Sequence, residues 1–113
     1  MKTILVSKKA KKALEESIKH YERMVVGKDL YIEGTHCACR RAAADFCQGC
    51  AIDKFVEGGC YGSPWIKLSR HARTHNITHS ILVGCPECKR LVKRVLAFLR
   101  KVLRACRLRG EER

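Results

Sequence analysis

Eight cysteines in a chain of 113 residues constrain this sequence more than any other feature. A domain of this length buries only about 60–68% of the surface that its unfolded chain exposes, so a staple adds what a modest core lacks. The spacing argues for metal. Cys47-Gln-Gly-Cys50 and Cys85-Pro-Glu-Cys88 are both Cys-x2-Cys turns, and Cys37-Ala-Cys39 is a tighter pair. His36 adds a His-x2-Cys pair with Cys39, while Cys60 and Cys106 stand alone. A Cys-x2-Cys turn aims two thiolates at one ion, and two such turns point to tetrahedral zinc. Reduced buried thiols, disulfides and an iron–sulfur cluster, which also takes four thiolates, compete for the same residues.

The surroundings weigh against disulfides. Ile4-Leu5-Val6 is the apolar run near the start, and Lys8, Lys9, Lys11 and Lys12 follow it at once. No apolar stretch reaches the roughly 7–15 residues of a secretory leader or the roughly 18 of a membrane span. The expectation is a cytoplasmic chain, where disulfides are rare and clustered cysteines bind metal.

Three ligand sets fit the spacing, with one or two zinc ions between them. Cys47, Cys50, Cys85 and Cys88 make an all-thiolate site. Cys37 or Cys39 with Cys47, Cys50 and Cys60 makes a local site in the first half. His71 and His75 with Cys85 and Cys88 make a site of two imidazoles and two thiolates, in the reverse of the usual finger order. The familiar order, a Cys-x2-Cys followed by paired histidines, does not occur. His71, His75 and His79 recur every four residues, but a helix ending near Thr74 splits the triplet.

Periodicity organises the rest. Lys2–Val6 reads as a short strand. Ser7 is placed to cap a helix over Lys8–Met24, whose apolar stripe is Ala10, Leu14, Ile18, Tyr21 and Val25, with Gly27 ending it. Leu30–Gly34 reads as a brief strand, residues 39–46 as two helical turns, and 51–57 as a further turn with Ile52, Phe55 and Val56 inward. Ser63-Pro64 starts a helix to about Thr74 with Trp65 and Leu68 buried. Residues 76–83 suit a strand, and Pro86 opens a last helix to about Leu108. The fold class expected is a small α+β, zinc-stabilised domain over residues 1–109, with helices at both ends, a short sheet, a treble-clef-like outline and a frayed tail at 110–113.

The last helix carries both a core and a charge argument. Leu91, Val92, Val95, Leu96, Phe98, Leu99, Val102, Leu103 and Cys106 form a broad apolar face, to be covered by the first helix or by a second copy of the chain. Arg90, Lys93, Arg94, Arg100, Lys101, Arg104 and Arg107 lie on the same helix, with no acidic residue between Lys89 and Arg109. The whole chain carries 24 Lys and Arg against 11 Asp and Glu, a net charge of +13. Such a balance favours a polyanion, DNA or RNA first, with Lys8 and Lys12 joining the field. A plain solvated face, an acidic membrane surface and an acidic partner protein are the alternatives. A nuclease would need a base and a cation around one phosphate. His75, Asn76 and His79 offer part of that, with Asp53, Glu57 and Glu87 as the acids, but spacing assembles no such site.

Residues 13–65 resemble a group of short cysteine-rich, zinc-binding-like proteins of phages and bacteria without assigned function. The resemblance rests on Ala13-Leu14-Glu15-Glu16-Ser17-Ile18-Lys19-His20-Tyr21, on Cys39, Cys47 and Cys50, and above all on Cys60-Tyr61-Gly62-Ser63-Pro64-Trp65. The leading cysteine of that group's first pair falls on His36, so either His36 or Cys37 takes its place. The resemblance implies a metal-stapled fold and a phage or prophage origin, hence a small regulator or an adaptor acting on a host protein. It implies no activity.

Overall fold

The computed structural model describes residues 3–28, 55–56, 62–75, 81–82 and 84–108. Among them the order is β1 (Ile4–Val6), α1 (Lys8–Val25), α2 (Trp65–Arg73), α3 (Pro86–Ala105) and β2 (Cys106–Leu108). The mixed α+β class holds.

Local chemistry explains the boundaries. Ser7 caps α1, its Oγ accepting from the Ala10 N–H at 3.1 Å. Gly27, at φ 80°, closes the helix in the left-handed conformation that glycine tolerates. Ser63 Oγ accepts from the Trp65 N–H at the start of α2. Pro86 opens α3 at a position where a missing N–H costs nothing.

The core is the seam of α3 with α1 and α2. From α3, Leu91, Val92, Val95, Leu96, Leu99 and Val102 are buried. They meet Leu14, Ile18 and Tyr21 of α1 and Trp65, Leu68 and Ala72 of α2 in one cluster. Phe55 packs edge-on against Phe98 with ring centroids 6.0 Å apart, as its inward assignment requires. The broad face of α3 is therefore used within the chain.

Both flanking helices run antiparallel to α3. Glu22 reaches Arg100 at 2.9 Å, while Met24–Gly27 lie beside Gly84–Pro86. Lys67 shares a cavity with Leu91 and Arg94, while His71 lies against Cys85 further down. This gathers the end of α1, the end of α2 and the start of α3 at one pole. At the other pole β1 and β2 pair in parallel, Ile4 opposite Cys106 and Val6 opposite Leu108.

The structure corrects three sequence-based expectations here. The last helix stops at Ala105, and Cys106–Leu108 is strand. Val6 is fully buried, and pairing with β2 satisfies the backbone polar groups beside it, which extra helical turns would not. The buried face of α1 is also wider than its stripe, taking in Ala13, Ser17, His20 and Met24. The last helix and β2 cover it. Ile81 and Leu82 are not in a strand, and the remainder of 76–83 lies outside the described residues. So do the strand expected at 30–34, the turns at 39–50 and the tail at 110–113.

Leu99 is fully buried at the centre of this seam. Leu99→Ala is expected to lower the unfolding free energy of the metal-loaded protein by about 2–5 kcal/mol, measured by urea denaturation.

Candidate metal centre

His71, His75, Cys85 and Cys88 converge at the pole where α2 ends and α3 begins. Their four donor atoms all lie within 4.8 Å of one another, and the group could hold a metal ion. His71 Nε2 is 3.4 Å from Cys85 Sγ and 3.2 Å from His75 Nε2. Zinc bonds of about 2.0–2.1 Å to nitrogen and 2.3 Å to sulfur imply tetrahedral edges of roughly 3.3–3.8 Å. The two measured edges already sit close to that range.

Each ligand is positioned by a local device. His71 and His75 are one helical turn apart and so lie on one side of α2. The helix proper ends at Arg73, and the Thr74 and His75 N–H groups fold back onto the His71 and Ala72 carbonyls. That last tight turn keeps His75 beside His71, their rings edge-on with centroids 4.8 Å apart. On the other side, Gly84 at φ 87° bends the chain, and the Cys85 N–H donates to the Leu82 carbonyl at 3.2 Å. Cys85 is then the cap of α3, its Sγ accepting from the Cys88 N–H at 3.5 Å. Cys88 is buried and Cys85 half-buried.

The electrostatics favour a thiolate. The His71 imidazole and the Cys88 N–H draw the Cys85 thiol down to about 6, against the opposing effect of burial. Burial holds the Cys88 thiol above its ordinary value, so Cys88 gains most from a cation that offsets its buried charge. Glu87 lies between the two cysteines, but its carboxylate is taken by Arg90 in two hydrogen bonds of 2.7 and 2.5 Å.

Of the three ligand sets, the described residues assemble the one with two imidazoles and two thiolates. His36, Cys37, Cys39, Cys47, Cys50 and Cys60 lie outside the described residues, as do Asp53, Glu57, Asn76 and His79. Cys106 is remote from the cluster, in β2, donating to the Val102 carbonyl. A Cys-x2-Cys turn opening a helix is the helical half of a treble clef; its partner pair here comes from a helix end.

The basic residues sort themselves by partner. Lys93, Arg94, Lys101 and Arg104 are exposed on α3, and among the described residues no salt bridge neutralises them. Arg90 is engaged by Glu87, and Arg100 by Glu22 of α1. The Arg107 guanidinium donates to the Arg104 and Cys106 carbonyls. Lys8 and Lys12 are exposed at the sheet pole of α1. Lys67 and Arg70, exposed on α2, add charge that attention to the last helix alone overlooks. The signal for Lys67 was its place four residues before His71, one turn along the same side. No helix among the described residues is long and apolar enough to cross a membrane.

Compared with known proteins, the chain matches no family model, no curated protein and no solved structure.

Cobalt(II) reports this geometry directly. Protein loaded with cobalt is expected to show tetrahedral d–d absorption together with thiolate-to-cobalt charge transfer. His71→Ala, His75→Ala, Cys85→Ser and Cys88→Ser are each expected to weaken or alter these bands, and Cys106→Ser to leave them unchanged.

Proposed function

We propose that this protein is a zinc-stapled, non-catalytic nucleic-acid-binding domain. Two imidazoles and two thiolates are a donor set of borderline softness with tetrahedral preference, which suits zinc above the other common divalent ions. Four protein ligands leave no open position for water or substrate, so the ion serves structure rather than hydrolysis. His75, the histidine a nuclease reading would use as a base, faces the ligand cluster, and Glu87 is committed to Arg90. The resemblance over residues 13–65 supports a phage or prophage origin, and with it a regulatory role in the host cytoplasm.

The observation that carries the binding reading is the row Lys93, Arg94, Lys101 and Arg104, which makes no salt bridge among the described residues. These four cations repel one another on a single helix, whose one acid, Glu87, is paired with Arg90. A surface kept purely for solubility gains from acids interspersed among its bases. A row of bare cations gains from phosphates, whose condensed counterions are released on binding.

The test is a salt titration of binding to a DNA duplex. Four phosphate contacts imply a log–log slope of at least about −3.6. Substituting all four cations by alanine is expected to remove most of that slope and to weaken binding to unrelated sequences equally. Salt-insensitive, stoichiometric binding to one acidic protein, with no nucleic-acid binding, would overturn the reading in favour of an adaptor.

A further inference from the structure

Resting on that reading, we propose that the polyanion is a nucleic-acid duplex, held through its phosphates across the seam of α2 and α3. Lys67 of α2 and Arg94 of α3 line one cavity of about 310 Å³ together with Gly62, Pro64 and Leu91. Two helices therefore present cations toward one opening. The α1 side of α3 differs. There Glu22 holds Arg100, and Glu22 and Arg100 line the neighbouring cavity with Lys93. On the α2 side Glu87 is paired with Arg90, and Lys67 and Arg94 make no salt bridge among the described residues.

Two features select a duplex. Packed helix axes lie about 8–10 Å apart, so α2 and α3 set out two rows of cations. The edges of a groove offer two rows of phosphates, and a single strand offers one. Single-strand binders also need exposed rings on which bases stack. The rings within the described residues are not available for this: Trp65 and Tyr21 are buried, and Phe55 and Phe98 are half-buried against each other, while Tyr31, Phe46 and Tyr61 lie outside the described residues.

The same packing limits the mode of recognition. A reading helix must enter a major groove about 12 Å wide. α3 is covered on both flanks by α1 and α2, so only its outer strip meets solvent. Contact is confined to the backbone, and binding is independent of sequence.

The experiment is fluorescence anisotropy of zinc-loaded protein with two labelled duplexes of unrelated sequence and with each of their separated strands. The expected result is tighter binding of both duplexes, to the same degree, than of any strand. Lys67→Ala and Arg94→Ala should each reduce the salt slope by about 1. Lys9→Ala, an equal loss of charge on the first turn of α1 at the sheet pole, should leave it nearly unchanged. Preference for single strands, or equal effects of Lys9 and Lys67, would overturn the duplex seam while leaving nucleic-acid binding in place. Absence of binding to every oligonucleotide would overturn the seam and the function proposed above together.

Discussion

Burial of the apolar face of α3 is the constraint on which the remaining structure depends. Leu91, Val92, Val95, Leu96, Leu99 and Val102 cover more than one helix can shield, so α1 and α2 close on it from two sides. Each fully buried side chain of this kind contributes about 1.5–3 kcal/mol of transfer free energy. That drive is not directional. It does not fix how far α2 slides along α3, nor which turn of one meets which turn of the other. The ends supply that register. At one pole the pairing of Ile4–Val6 with Cys106–Leu108 anchors the far end of α3 to the start of the chain. At the other, His71 and His75 meet Cys85 and Cys88.

A metal at that second pole suits the division of labour. Twelve residues separate α2 from α3, and α2 itself spans only nine. A helix so short gains little from its own propagation and depends on packing and end contacts. Four ligand bonds from two elements would fix the angle between them. They would also fix the distance between Lys67 and Arg94, which joins the staple to the charged surface. The charged strip is tolerable in the free protein because it faces water.

The sequence made the local devices legible. Ser7 as cap, Gly27 as terminator, the Cys85–Cys88 turn with Pro86 after it, and the helix end near Thr74 each depend on neighbours within a few residues. Non-local pairings were not legible. Cys106–Leu108 continue the amphipathic pattern of α3 and read as helix; only Ile4–Val6, about a hundred residues away in the chain, turns them into strand. The Arg100–Glu22 pair is hidden for the same reason. Arg90–Glu87, three residues apart on one helix, is by contrast a local pair. The choice among ligand sets shows the limit most plainly. Spacing allowed Cys85 and Cys88 to join either Cys47 and Cys50 or His71 and His75. The antiparallel docking of α2 on α3 is what brings the histidines to the turn.

The most direct test of that arrangement is a crystal structure of the zinc-loaded protein with anomalous data collected at the zinc edge. The expected result is a peak bounded by the Nε2 atoms of His71 and His75 at about 2.0–2.1 Å and by the Sγ atoms of Cys85 and Cys88 at about 2.3 Å. A peak in which Cys85 and Cys88 share their ion with other thiolates, the histidines turned away, would contradict the account, as would no peak at this pole.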